Sequence, residues 1–182
     1  MTSLTPPDPP LTDGVVTLRA FGDMDADAIV TMMDEPEIAR WTRAPSPYGL
    51  DDAIEWLAKL PAARAGGDFP LAVVDAGDDE LLGSIGLRLR DEGRGEFGYA
   101  VAAAARRRGV AARALRLYAR HALDAVGLER LEIHTRPDNG PSIALAEGVG
   151  FRREGVLRSY TVIGGGRIDV MLLSMLPGEL RL

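Results

Sequence analysis

The sequence predicts one mixed α/β domain, of the α+β kind, built on a mostly antiparallel sheet flanked by helices. Three observations predict it. The chain has 182 residues, the length of one domain with a sizeable core. Segments that alternate apolar and polar residues are interleaved with segments of helical period. Short Gly- and Asp-rich turns join neighbouring strands in the middle and at the end of the chain, which makes those pairs hairpins.

The elements follow in order. Residues 1–13, with four prolines before residue 11 and no apolar run, read as a flexible lead-in and not as a signal peptide. Val15–Arg19 alternates and is β-branched, a strand. Asp23 caps a helix through Met33 that carries Ile29, Met32 and Met33, and Glu35-Pro36 stops it. Pro45, Pro47 and Gly49 mark a loop, after which Asp51 or Asp52 starts a helix with Ile54, Trp56, Leu57 and Leu60. Leu71–Val74 and Leu81–Arg90 are strands around a Gly77-Asp78-Asp79 turn, and Phe97–Val101 is a third strand after a loop at Asp91–Gly95. A long helix runs from about Gly109 to Val126, a strand from Leu128 to Thr135, and a helix opens at the Pro137–Pro141 break and continues through Glu147. Two strands, Val156–Ile163 and Ile168–Leu176, flank a Gly164-Gly165-Gly166 turn. There is no internal repeat and no second domain.

Composition narrows the function. Apolar residues make up 46% and charged residues 26%, an ordinary globular balance. The absence of cysteine excludes disulfides, thiolate metal sites and a cysteine nucleophile. Two histidines, His121 and His134, leave little for a histidine-rich metal centre, so no metal is expected. No stretch approaches the roughly 18 apolar residues of a membrane span, and the expected location is cytoplasmic. The net charge of −6 argues against nucleic-acid or anionic-membrane partners. Inside that acidic total the cations are 20 arginines and one lysine, Lys59. Six of the arginines fall between Arg106 and Arg120, where there is no acid.

That cluster follows a strand and begins a helix: Arg106-Arg107-Arg108-Gly109-Val110-Ala111-Ala112-Arg113. The first N–H groups of a helix have no internal partners and sit at the positive end of its dipole. Small residues let a ligand approach that backbone, and arginine adds bidentate donors, so the turn suits a phosphate. Arg113, Arg116 and Arg120 share one stripe of the helix, opposite Ala111, Leu115, Tyr118 and Ala122, and read mainly as its solvated face, with Arg113 the one of the three expected to reach a ligand bound at the turn.

Arg106-x-x-Gly109-x-Ala111 resembles the Gln/Arg-x-x-Gly-x-Gly/Ala signature of the GNAT family of acetyl-CoA-dependent N-acetyltransferases. Asn139-x-x-Ser142 followed by Glu147-x-x-Gly150-Phe151 resembles a block of the RimJ/RimL branch, which acts on ribosomal proteins. Val16–Arg19, Pro36-Glu37-Ile38 to Trp41, and Arg158-Ser159-Tyr160 look like that branch too, so the resemblance covers about residues 14–178. It implies a GNAT-like sheet with a splayed central strand pair and acetyl-CoA as acetyl donor. In it, the turn Arg106, Arg107, Arg108, Gly109, Val110, Ala111 and Ala112 holds the pyrophosphate. Pantetheine pairs with Tyr99-Ala100-Val101 where that strand parts from Leu131-Glu132-Ile133, with Asn139 beside it and Ser142 near the thiol sulfur.

Acetyl transfer to an amine requires the ammonium to lose a proton and the leaving thiolate to gain one. Glu96, ten residues before Arg106, stands close to where the family places a base; it also reads as a solvated residue at a hairpin end. Ser142 is the proton donor the branch implies; it also reads, with Asp138 and Asn139, as a helix start. The family's usual tyrosine, five residues before the Gly-Phe phenylalanine, is Ala146 here, which leaves Ser142 or Tyr160 as the acid. The branch's glutamate after Phe151 is missing as well, with Thr161 near its place. Trp41 and Tyr48 lie in the segment that borders the family's acceptor cleft, and are read as substrate contacts or as packing. His134 lies in a strand that approaches the cleft, with packing the stronger reading.

The expectation is therefore transfer of an acetyl group from acetyl-CoA to a primary amine by direct attack in a ternary complex. The acceptor is a protein N-terminus or, alternatively, a small amine such as an antibiotic or polyamine. A non-catalytic acyl-CoA-binding module is the competing reading. Relatives in this branch are often dimers, so the resemblance leaves room for a homodimer.

Overall fold

A computed structural model describes residues 5–42, 44–163 and 165–181. It forms one eight-stranded sheet in the order β1-β2-β3-β4-β5-β6-β8-β7. The strands are β1 (Leu11–Thr12), β2 (Val16–Arg19), β3 (Asp68–Asp75), β4 (Leu81–Arg90), β5 (Arg94–Val101), β6 (Arg130–Thr135), β7 (Arg152–Ile163) and β8 (Gly166–Met175). The helices are α1 (Ala26–Met33), α2 (Pro36–Trp41), α3 (Leu50–Ala65), α4 (Val110–Asp124) and α5 (Gly140–Val149). The mixed, mostly antiparallel sheet is thus the one expected. Part of the expected lead-in, residues 1–4, and Gly164 of the expected turn lie outside the described residues.

Alternation along β3 sorts the two faces. Leu71 and Val73 join a core with Leu115 and Tyr118 of α4 and Ile143 and Val149 of α5. Ala72 and Val74 turn to the opposite face and join Ile29 of α1 with Ala53 and Leu60 of α3. The expected apolar stripe of α4 is buried at Leu115, Tyr118 and Ala122, and only partly at Ala111.

Three differences from the sequence reading have local causes. Pro36 both follows the end of α1 and starts α2, because its fixed φ and missing N–H suit a first helical position. Pro70 sits inside β3, beyond the reach of β2, which pairs only with Ala72–Asp75, so its missing N–H breaks no ladder bond on that side. Leu11–Thr12 pairs with Leu18 and Thr17 of β2 and extends the sheet into the proline-rich segment.

One feature of the sheet positions the site. β5 and β6 pair in parallel only from Arg94–Phe97 to Arg130–Ile133. Beyond that point β5 stays with β4, from Gly98↔Gly86 to Val101↔Gly83. β6 stays with β8, through His134↔Leu172 and Thr135↔Met171. The two strands part at Gly98 and His134 and leave the far half of β5 with an unpaired edge inside the sheet.

Candidate active site

The chain leaving the parted end of β5 turns directly into α4. Arg107 and Gly109 both adopt positive φ, 62° and 78°, which folds the turn tightly before the helix. A Cβ at Gly109 would meet nothing within 4 Å, so the backbone there faces open space. The N–H groups of Val110, Ala111 and Ala112 precede the first intrahelical acceptor; Arg113 N–H is the first to find one, the Gly109 carbonyl at 3.0 Å. A cavity of about 540 Å³ lies alongside, lined by Arg108, Gly109, Ala112, Arg113, Arg116 and Arg120 with Asp13. This donor-rich end suits a phosphorylated ligand, and the unpaired edge of Gly98–Val101 beside it suits an amide-bearing arm. An acyl-CoA has both parts.

The arginines divide differently from their order in the sequence. Arg106 turns back, its Nε donating to the Val101 carbonyl at 3.2 Å and its Nη2 lying 3.6 Å from Glu35, so it ties the turn to the parted strand. Arg107 and Arg108 are exposed. Arg113 pairs with Asp13 at 2.7 Å. Burial raises the Asp13 carboxyl, but the Val16 and Val15 N–H groups and Arg113 more than offset this and hold it below its usual value. Arg116 donates to the carbonyls of Arg181 and Gly148.

Across the gap, Asn139 caps α5 by accepting the Ser142 N–H at 3.2 Å. The Ser142 hydroxyl shares a 2.9 Å hydrogen bond with the Tyr99 hydroxyl, and Tyr99 also reaches the Ser142 carbonyl at 3.3 Å. The pair spans the opening from β5 to α5. Burial pushes the Tyr99 phenol up, and the Ser142 contact only partly offsets it, so the phenol keeps its proton at neutral pH.

On the face of α1 and α3 the opening meets two cavities that share Thr42, Arg88 and Gly98. The more polar one, about 490 Å³, holds Trp41, Glu96, His134, Asn139 and Tyr160. The more apolar one, about 610 Å³, is lined by Phe21, Ile29, Met32, Tyr48 and Trp56, with Asp52 and Glu55. Two guanidinium groups lie over the Trp41 ring, Arg40 at 4.5 Å and Arg136 at 5.3 Å, and its Nε1–H donates to Glu37 at 2.9 Å. Tyr48 is buried; burial first, and Asp52 second, push its phenol up.

Glu96 Oε2 accepts two bonds from Arg90, from Nη2 at 2.6 Å and Nε at 3.1 Å. His134 stands beside it, Nδ1 3.8 Å from Glu96 and Nε2 3.4 Å from Glu132, with the Tyr160 ring edge-on at 5.5 Å. Glu132 is buried; that burial raises its carboxyl, but Arg130 most of all draws it below its usual value. The structure thus gathers Glu96, Tyr160 and Trp41 in one cavity, Ser142 and Tyr99 at the gap, and Tyr48 in the neighbouring cavity. His134, for which the sequence favoured packing, lines the same cavity, and the Tyr99 hydroxyl, which the sequence did not single out, meets Ser142. The alternation of β6 carries the first signal: Leu131 and Ile133 are core, so Glu132 and His134 share the other face.

Among the described residues no helix is long and apolar enough to cross a membrane, and no group of three His, Cys, Asp or Glu side chains is arranged to hold a metal ion.

Comparison with known proteins gives a consistent picture. The profile of the acetyltransferase (GNAT) domain family matches residues 16–152. The uncharacterized N-acetyltransferase p20 of Bacillus licheniformis is 29% identical over 170 residues, 90% of this chain and 94% of that protein. RimJ of Mycobacterium smegmatis, solved in complex with CoA-disulfide, is 28% identical with a TM-score of 0.82, over 95% of this chain and 88% of that one. The ribosomal-protein-S5-alanine acetyltransferase of Vibrio fischeri shares the fold at 20% identity and a TM-score of 0.79, over 95% and 99% of the two chains.

Proposed function

The chain belongs to the acetyltransferase (GNAT) family, and from that premise we propose that it transfers an acetyl group from acetyl-CoA to a primary amine by direct attack in a ternary complex. The observation that carries this reading is the parting of β5 and β6 at Gly98 and His134, next to the free N–H groups of α4. A donor laid along that gap has its phosphates at the Arg107–Ala112 backbone and its thioester at the boundary of the two faces, where an amine arrives from the cavities beneath. Bound there, acetyl-CoA supplies an activated carbonyl and a thiolate leaving group.

The chain's own groups serve the rest. Glu96, held by Arg90, gives the polar cavity a fixed negative charge that attracts the acceptor ammonium and lies on its proton's way out. Ser142 donates a proton to the departing thiolate, and the Tyr99 phenol restores it along the 2.9 Å hydrogen bond. Tyr160 and Trp41 wall the cavity and orient the acceptor, and Tyr48 lines its second arm. Two cavities joined at Gly98 accommodate an amine with a chain continuing past it, which favours a peptide N-terminus, and the likeness to RimJ supports that acceptor. A small amine is the second reading, because Asp52 in the apolar arm offers charge to a second cationic centre, whereas Glu55 there is paired with Lys59.

Thermal denaturation with acetyl-CoA tests the reading. At about 100 times the dissociation constant the ligand stabilises the fold by roughly 2.7 kcal/mol. An unchanged melting temperature overturns it. Thiol release with a free-amine peptide and with spermidine then chooses the acceptor.

A further inference from the structure

We propose that His134 is the catalytic base of this site, taking the acceptor's proton on Nδ1, with Glu132 as the residue that positions its ring. The proposal rests on the acetyl-transfer reading above and deepens it. Its ground is the place where the sheet opens. Ile133 is the last β6 residue paired with β5, and His134 is the first beyond it. Directly across the gap stands Gly98, which has no side chain and open space around its Cβ position. The imidazole therefore borders the point at which the two cavities and the gap meet, and its side chain is only 16% exposed.

The surroundings divide the labour between the two ring nitrogens. Nε2 is buried with no hydrogen-bond partner, and the nearest acceptor is Glu132 Oε2 at 3.4 Å. A carboxylate at that position favours the tautomer with hydrogen on Nε2, which leaves the Nδ1 lone pair for the cavity. Nδ1 lies 3.8 Å from Glu96, so an ammonium drawn in by Glu96 presents its proton beside Nδ1. Both contacts are long enough to tighten when the site fills. Glu96 is the weaker candidate for base because its Oε2 already accepts two Arg90 bonds. Of the other strands packed here, β7 contributes Tyr160, β4 contributes Arg90 behind Glu96, and β8 contributes Leu172 opposite His134. Arg130 and Arg94 lie behind Glu132. Carboxylates thus face both nitrogens and offset the charge of the imidazolium.

The step balances. His134 Nδ1 takes one proton from R–NH3+, and the freed lone pair forms the C–N bond as the C–S bond breaks. The surplus proton on the new amide nitrogen leaves to water, water reprotonates Tyr99 after it has restored Ser142, and His134 returns its own proton to water, so one proton is released per turnover.

The test uses purified protein, acetyl-CoA and two acceptor probes, a short free-amine peptide and spermidine. His134→Gln lowers kcat about 100-fold. It removes the acidic limb of the kcat/KM–pH profile, which reports the free enzyme, and leaves stabilisation by acetyl-CoA unchanged. Glu132→Gln lowers kcat less and changes the tautomer that the 15N shifts of the His134 ring report, because the carboxylate facing Nε2 has been removed; a merely structural glutamate would not change it. The chain has only two histidines, so 15N-histidine NMR separates His134 from His121. The midpoint of the His134 signal in the wild type coincides with the limb, a readout independent of whether variants fold. The proposal is overturned if His134→Gln keeps kcat within about threefold, if the limb vanishes in Glu96→Gln instead, or if the NMR midpoint and the limb disagree. Those results leave acetyl transfer standing. A wild type that acetyl-CoA does not stabilise, or that turns over neither amine, takes down both.

Discussion

The two ends of the parted strands are built from different material. At the α4 end the chemistry is carried by backbone: N–H groups of consecutive residues, aimed by the positive φ of Arg107 and Gly109. At the other end it is carried by side chains from distant elements, Trp41 from α2, Glu96 from β5, His134 from β6 and Tyr160 from β7. A backbone cradle recognises what every acyl-CoA shares and tolerates changes in most side chains around it. A cleft assembled from side chains is specific to one acceptor and is altered by single replacements. On the proposed reading the donor end is therefore general, and the acceptor end is where single replacements change what is bound.

The largest test of that contrast is at Gly109. Gly109→Leu places a side chain in the open space before α4 at a backbone φ of 78°. The strain costs about 1–2 kcal/mol, and the Kd for acetyl-CoA rises at least ~100-fold. Isothermal titration with a parallel melt separates the two effects. Unaltered affinity would show that the phosphates lie elsewhere. Replacing Arg107 with Ala has a much smaller effect if backbone dominates. At the gap, Ser142→Ala lowers kcat about 100-fold with little change in affinity for acetyl-CoA. Tyr99→Phe lowers it about tenfold, or 1.4 kcal/mol, because Ser142 keeps its own hydroxyl. A larger loss in Tyr99→Phe than in Ser142→Ala would mean that the phenol, not the serine, delivers the proton.

The same contrast explains what could be read from the sequence. The α4 turn is eight consecutive residues, so strand, arginines, glycine and helix are visible together. The sheet was legible because β4, β5, β7 and β8 alternate and are joined by short glycine-rich turns. The acceptor cleft was legible only in part: Trp41, Glu96 and Tyr160 stood out singly, but they meet with His134 only through strand register and the parting of β5 and β6. Tyr99 and Ser142 are 43 positions apart, and nothing local says that their hydroxyls touch. Pro36 concealed α2 for another reason: a proline that forbids continuing one helix is equally suited to begin the next. Arg106 fitted the signature, yet its guanidinium serves the Val101 carbonyl, which a motif of residue types does not express.

Acid extends the comparison from turnover to stability. Backbone N–H groups do not titrate in this range, whereas the wall of the acceptor side leans on a buried carboxylate. Asp25, just ahead of α1, accepts two bonds from Arg19 at 2.9 Å and the Gly22 N–H at 2.8 Å. Burial raises its carboxyl, but Arg19 and the Gly22 N–H more than offset this, so the folded value lies below the usual one. A group held low in the folded state contributes stability that is present above its unfolded value, about 3.9, and is lost as pH falls through the folded value. Asp25→Asn therefore destabilises the protein by about 1–3 kcal/mol at pH 7, measured by urea denaturation. The gap to the wild type narrows as pH drops below about 4, because protonation then removes the same charge. Since α1 lines the apolar cavity through Ile29 and Met32, the variant weakens acceptor binding before donor binding. A gap that stays constant down to pH 2 would show that Asp25 acts through packing and not through its charge.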